Sequence, residues 1–319
     1  MKMRRREFLK ASAVAATGLT LGAAPATESR DGMPYRTLGK TGEKVSLLCV
    51  GGFHLGQESV SEEEAIHIMR TAVDEGVNFF DNAWEYNQGR SEIRMGKALK
   101  DGYRDRVLLM TKHKGRDRAT AQQQLEESLR RLEVDVIDLW QFHEIVHPDL
   151  PARIYGEGAI EYALEAREQG KIRYIGFTGH HMPAYLMEMI DRGFDWQTIQ
   201  MPLNVFDHHF RSFEKEVLPA AVSKNLGVIA MKTLGGSPGN IPGGSKAATV
   251  EECLRYAMSL PVSTVCSGMD SMPKLRQNLG VAKSFQPLED QERTALLART
   301  RPDALEGEFE PYKTRWHRG

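Results

Sequence analysis

At 319 residues, with 41% hydrophobic and 27% charged side chains, the chain suits one large globular domain or two ordinary ones, and its composition excludes a disordered or fibrous protein. The formal net charge is −1, and no basic patch suggests nucleic acid. Three cysteines, Cys49, Cys253 and Cys266, are odd in number and widely spaced, which excludes a disulfide framework and a Cys-x-x-Cys metal knuckle.

Residues 1–26, MKMRRREFLKASAVAATGLTLGAAPA, carry a basic start, an uncharged small-apolar run from Ala11 to Leu21 and a small-x-small site ending at Ala26. That is the layout of an export signal. Within it RRREFLK, Arg4 to Arg6 with Phe8, Leu9 and Lys10 behind them, resembles the twin-arginine signature. The apolar run is too short and too rich in glycine and alanine for a permanent membrane span. Five basic residues, Lys2, Arg4, Arg5, Arg6 and Lys10, stand against Glu7, so cleavage would leave a mature chain near −5. The expectation is export through the twin-arginine machinery to the periplasm, with no stable span after cleavage. That route resembles one for proteins folded beforehand, often around a cofactor.

After a short linker, residues 27–32, LGKTGEKV reads as a hairpin turn between two small strands. From there apolar runs recur at 46–51, 77–80, 106–111, 135–142, 172–178, 196–201, 227–231 and 262–267. Between them lie segments of helical period at 62–75, 91–100, 119–132, 159–169, 183–191, 213–224, 250–260 and 272–282. Ser61 with Glu64 forms a capping-box signature, and Gly76 and Gly170 mark helix ends. Eight strand–helix units predict a parallel (β/α)₈ barrel over residues 33–300, its bottom closed by the N-terminal hairpin. A doubly wound sheet is the competitor, but no G-x-G-x-x-G follows the first strand. LEDQERTALLART adds an outer helix, and residues 301–319 form a Pro/Arg-rich tail.

In such barrels the chemistry gathers where the strands exit at their C-terminal ends. Asp81 and Tyr86 follow the second strand, Lys112 the third and His143 the fourth. A phenol with a pKa near 10 handles protons poorly at neutral pH, but a nearby ammonium favours its phenolate and lowers that pKa. Lys112 can supply the charge, Asp81 can keep Lys112 ionised, and His143 can orient a carbonyl oxygen or pass its proton on. This is general acid chemistry tuned for a carbonyl. The loop KTLGGSPGNIPGGSK is glycine-rich enough for backbone N–H groups to approach a pyrophosphate, through Lys232, Thr233, Leu234 and Gly235. The helix after the eighth strand offers its N-terminus to phosphate.

FFDNAWEY, TKH, LWQFHE, GFTGH, IQMPLN and GMDSMPKLRQNL stand in the order and spacing of the aldo-keto reductases, and the chain from about Met33 to Leu296 resembles that family of NADPH-using barrels. The resemblance implies Tyr86 as proton donor, supported by Asp81, Lys112 and His143. It places Gly52, Phe53 and Asp81 by the nicotinamide ribose, and Thr178 and Gln200 at the carboxamide. Gly179 replaces the more usual Asn, and Met231 stands where many members stack an aromatic, its thioether still able to cover the ring. Gly268 is expected beside the cofactor, Lys274 would reach the 2′-phosphate and Gln277 and Asn278 the adenine, which favours NADP(H) over NAD(H). His54, Trp84, His113, His180, Asn204 and Phe206 are expected to line the pocket for a small-molecule carbonyl substrate.

Two other readings come from the same residues. Ten histidines suggest a metal-dependent barrel hydrolase, but GGFHLG holds one histidine where such sites start with His-x-His; no metal site is expected. The export signal suggests a barrel that holds NADP as a sensor or assembly component with little turnover.

Overall fold

The computed structural model describes residues 27–236 and 240–314; the expected export signal lies outside them, as does the end of the tail. Residues expected as a linker form a strand instead: β1 (Glu28–Arg30) pairs antiparallel with β2 (Met33–Thr37), which pairs antiparallel with β3 (Lys44–Ser46). The barrel strands follow as β4 (Leu48–Gly51), β5 (Phe79–Asp81), β6 (Leu108–His113), β7 (Ile137–Phe142), β8 (Ile172–Thr178), β9 (Thr198–Pro202), β10 (Gly227–Met231) and β11 (Thr264–Gly268). All are parallel, and they close in the order β10-β11-β4-β5-β6-β7-β8-β9.

The helices outside them are α1 (Gly52–Leu55), α2 (Glu62–Asp74), α3 (Arg90–Ala98), α4 (Arg118–Leu132), α5 (Asp149–Gly156), α6 (Ala159–Glu168) and α7 (Pro183–Asp191). α8 (Phe213–Glu216), α9 (Leu218–Ser223), α10 (Val250–Ser259), α11 (Met272–Lys283), α12 (Asp290–Ala304) and α13 (Pro311–Thr314) complete the set. Ser61 accepts from the Glu64 amide at 3.1 Å, capping α2 as its sequence suggests. The segment 213–224, expected as one helix, is two short ones meeting at Val217, with Pro219 in the first turn of the second.

The hairpin plugs the barrel from below. Leu38 and Val45 join Cys49, Phe79, Leu108, Met110, Leu139 and Ile229 in one interior apolar cluster. The turn presses directly on the sheet: at Gly39, with φ +50, a Cβ would lie 2.2 Å from the Gly227 amide nitrogen, so only glycine allows this approach. Ser263 Oγ donates to Thr37 O at 2.9 Å and Arg36 to Val262 O at 3.0 Å, tying the hairpin to the start of β11.

The barrel does not end at residue 300. α12 runs across that position, and beyond it Glu310, Tyr312 and Lys313 are fully buried against the opposite rim. The physical reason is a cluster of buried partners there, described below, that a composition reading of the tail does not reveal.

Candidate active site

Successive side chains on a strand alternate between faces. Asp81 therefore shares the inward face of β5 with Phe79, and Lys112 that of β6 with Leu108 and Met110, all three apolar residues of the interior cluster. His143 continues the parity of Leu139 just past β7. The loop after β5 is led over β6 by two backbone bonds, Asn82 N to Met110 O at 2.9 Å and Trp84 N to Lys112 O at 2.9 Å, and then turns on itself through Tyr86 N to Ala83 O at 3.0 Å. The phenol is thereby returned above the lysine. Lys112 Nζ donates to Asp81 Oδ1, to Asn82 O at 2.7 Å and to Tyr86 Oη at 3.4 Å. Asp81 Oδ2 accepts from Gln200 Nε2 at 2.7 Å and from the Cys266 thiol at 3.0 Å. The Tyr86 ring is clasped edge-on by Phe53 and His143, with centroids 5.3 Å and 5.6 Å away. Asp81, Tyr86, Lys112 and His143 thus meet at one rim, as their positions in the sequence predict.

Burial is the largest influence on Tyr86, Lys112, His143 and Glu85. It pushes the Tyr86 phenol well above its usual pKa; Lys112 works to lower it, and Asp81 partly cancels that. The expectation that the ammonium would bring the phenol below its ordinary value is therefore corrected: in the closed cavity desolvation is the larger influence. Burial alone would lower Lys112, but Asp81 and the phenol outweigh it and hold the ammonium above its usual value. His143 is lowered by burial and by Lys112, despite Glu85, and stands neutral. Its Nδ1 lies 3.1 Å from Glu85 Oε1 but is poorly aligned for a hydrogen bond. Burial raises Glu85, yet His143 and Lys114 overcome it and bring its pKa to about 2.

Glu85, His143 and Glu144 form the one grouping among the described residues whose ligand atoms could converge on a metal ion. Lys114 already bridges its two carboxylates, lying 2.7 Å from Glu144 and in contact with Glu85.

The residues expected to hold a nucleotide lie along the exits of β4 and β8 to β11. Thr178 Oγ1 and Gln200 Oε1 are buried without hydrogen-bond partners, two orphaned groups side by side where β8 pairs β9, and they fit a carboxamide. At Gly179 a Cβ would lie 2.7 Å from Leu186 Cδ2 and 2.8 Å from Ile145 O, so the usual asparagine has no room. Gly52 is buried beside Asn82 while Phe53 is 39% exposed over the cavity. Met231 and Lys232 are half-buried at the end of β10, and Thr233 and Gly235 bridge each other across Leu234. Gly268 closes against His54, whose ring nitrogen would meet a Cβ at 1.9 Å. Lys274 pairs with Asp270 at 2.8 Å and remains exposed, as does Gln277. Asn278 is buried and donates to Ser267 Oγ at 2.9 Å.

Residues 47–240 match the model of the aldo/keto reductase family. The chain belongs to that family. It is 34% identical over 232 residues to the oxidoreductase YrpG of Bacillus subtilis, covering 64% of this chain and 67% of that one. The chain spans about two thirds of the length of the curated relatives it matches. Among solved structures, aldo-keto reductase AKR11C1 of Bacillus halodurans in its holo form superposes with a TM-score of 0.71 at 27% identity, over 84% of this chain and 96% of that chain. An aldo/keto reductase of Klebsiella pneumoniae, solved in complex with NADP and acetate, shares the fold at 23% identity and a TM-score of 0.69, over 83% and 94% of the two chains.

In this aldo/keto reductase the expected substrate wall is largely spoken for by packing. Trp84 donates through Nε1 to Glu127 at 2.7 Å and lies under the Arg131 guanidinium, so its indole belongs to the contact with α4. His113 is sealed in, stacked 3.7 Å from Trp140, and burial holds its pKa far down. Asn204 is buried and ties Lys232 O, Glu310 and Tyr312 together, while Phe206 packs on Phe309. His180 is buried edge-on to Tyr312. Of the six residues, His54 stays at the open rim, half-buried beside Phe53.

Sequence reasoning missed four contributors. Asn82 gives its carbonyl to Lys112, Cys266 its thiol to Asp81, Glu85 its carboxylate to the neighbourhood of His143, and Tyr312 its ring to the wall. Glu85 had a signal, an acid between two aromatics in WEY. Tyr312 had none.

Proposed function

We propose that the protein reduces an aldehyde or ketone to an alcohol, or runs the reverse oxidation, with NADP(H) and with Tyr86 as general acid and base. The observation that carries this reading is the Lys112 ammonium, fixed by Asp81 and set 3.4 Å from the Tyr86 oxygen. A nicotinamide held at Thr178 and Gln200 would supply or accept the hydride at the carbonyl carbon. Tyr86 gives its phenolic proton to the carbonyl oxygen, and the phenolate left behind is stabilised by Lys112. Asp81 keeps that ammonium charged, and neutral His143 orients the oxygen. The raised phenol pKa suits the acid role, because the proton stays on Tyr86 throughout the neutral range.

The orphaned Thr178 and Gln200 oxygens support a carboxamide ligand. Lys274 supports NADP(H) over NAD(H): its exposed pair with Asp270 is of a kind worth about 0–1 kcal/mol, so a 2′-phosphate can displace the carboxylate. The test is the purified protein with NADPH and a panel of aldehydes and ketones, followed by loss of NADPH absorbance. Turnover that survives Tyr86→Phe would refute the mechanism. Export by the twin-arginine route is part of the same proposal, supported by residues 1–26; Arg5→Lys with Arg6→Lys should trap the protein in the cytoplasm on fractionation.

A further inference from the structure

The lysines of the active rim share a pattern. Lys112 has Asp81, Lys114 has Glu85 and Glu144, Lys274 has Asp270, and Lys313 has Asp207 at 2.6 Å and Glu310 at 3.0 Å. Lys232 breaks it: among the described residues no carboxylate lies within ion-pair distance of its ammonium, which instead sits over the Tyr312 ring, 5.0 Å from the centroid. It is not a loose surface side chain. Its backbone is held in the left-handed region at φ +56, costly for a residue with a Cβ, and its carbonyl accepts from buried Asn204 at 3.2 Å. Burial is the largest influence on Lys232 and lowers its pKa, with Glu144, Lys112, Cys266 and Asp81 all within its electrostatic reach. Those groups belong to β5, β6, β11 and the exit of β7, so the ammonium lies on the rim that carries the four clustered residues.

A half-buried cation with an aromatic wall and no counter-ion is an incomplete site, because desolvating a charge is unfavourable until an opposite charge arrives. We propose that Lys232 is the anion-binding residue of this cavity and that the carbonyl substrate carries a carboxylate- or phosphate-class oxyanion. The proposal rests on the reductase reading. It assigns the anion to the substrate for a geometric reason. Lys232 leans onto Tyr312, which is packed with Asn204 and His180 at the exits of β8 and β9. The pyrophosphate is expected at the backbone N–H groups of this same loop and the 2′-phosphate at Lys274, whereas the Lys232 ammonium has Asp81, Lys112 and Glu144 of the catalytic rim within its electrostatic reach.

The experiment compares two aldehydes of nearly one shape, 4-carboxybenzaldehyde and 4-formylbenzamide, in wild type, Lys232→Met and Lys232→Arg. The ratio of kcat/KM for the acidic over the neutral aldehyde should fall on the order of ten- to a hundredfold in Lys232→Met, the size of one charge-assisted hydrogen bond. Lys232→Arg should restore most of it. A second arm needs no turnover: calorimetric binding of 4-carbamoylbenzoate and of benzamide to the NADP⁺-loaded protein, where Lys232→Met should erase the preference for the acid. An unchanged ratio together with an unchanged binding preference overturns the proposal. A loss confined to NADP⁺ affinity also overturns it, by giving the anion to the cofactor's pyrophosphate. Absence of turnover with the binding preference intact would instead count against the reductase reading and leave the anion site standing.

Discussion

Two buried lysine clusters sit on the same rim and differ in what they leave free. At one, Lys112 joins Asp81, Asn82 O and the Tyr86 oxygen; at the other, Lys313 joins Asp207, Glu310 and Phe210 O. In the first the lysine's last contact is the longest, 3.4 Å, and it goes to a phenol that opens on the cavity. In the second each contact is 3.0 Å or less, and Tyr312 is itself used up by Glu310 at 2.6 Å and Asn204 at 3.1 Å. A buried ion pair is poor evidence of stabilisation in itself, since desolvation offsets the attraction. What separates a working pair from a fastening one is whether a proton-bearing group is left over to meet a ligand.

The largest expected effects come from removing one member of each cluster. Tyr86→Phe should cut turnover about 10²–10⁴-fold, the usual worth of a positioned proton donor, with little change in thermal unfolding. Lys313→Met should do the opposite: it leaves Asp207 and Glu310 buried without their cation and should cost about 3–5 kcal/mol of stability in urea unfolding. If Lys313→Met cut turnover at unchanged stability, or Tyr86→Phe unfolded the protein, the division between the clusters would be false.

That division was half legible in the sequence. The working cluster announces itself because period two carries the inward face of an apolar strand straight into its polar exit, so Phe79 predicts Asp81 and Met110 predicts Lys112. The eight runs and their helices likewise predict the closed barrel. The fastening cluster depends on Asp207, in a loop, meeting Glu310 and Lys313 over 100 residues later. Nothing periodic marks such a pairing, and a Pro/Arg-rich tail looks like a loose end. The same long-range packing ties Asn204 and Phe206 to Glu310, Tyr312 and Phe309. Burial also reverses a sign that pairwise reasoning had chosen, since Lys112 does act to lower the Tyr86 pKa but desolvation outweighs it.

Acid and base should pull the clusters in opposite directions. Burial raises Asp207 to about 7, with Lys313 opposing and Glu310 adding to it. Its unfolded value is about 3.9, so the fold holds an extra proton between the two; this contribution is complete below about pH 4 and is lost as pH rises through 7. His143 is lowered by burial, so the fold holds it neutral, and that contribution is lost as pH falls below its ordinary value of about 6.5. Unfolding midpoints measured against pH should show Asp207→Asn removing the decline on the alkaline side, and His143→Gln removing the decline on the acid side. A flat alkaline limb in the wild type would mean that Lys313 fully compensates Asp207.

The smallest expected effect concerns Trp84, two residues from Tyr86 yet attached to the scaffold and not to the cavity. Its indole N–H meets Glu127 at 2.7 Å, Glu127 also holds Arg131 at 3.1 Å, and Arg131 donates back to the Trp84 carbonyl at 2.8 Å. The indole therefore braces the loop from its outer side, and the phenol faces in from the same loop. Trp84→Phe keeps an aromatic side chain but deletes the N–H donor and the five-membered ring, which should cost about 1–2 kcal/mol of stability, since Glu127 retains Arg131 and Gln123 as partners. KM for large and small aldehydes should keep its ratio. A ratio that shifts with substrate size would move Trp84 into the pocket wall and make the five-residue span from Asp81 to Tyr86 a substrate-binding loop as well as a hinge for the phenol.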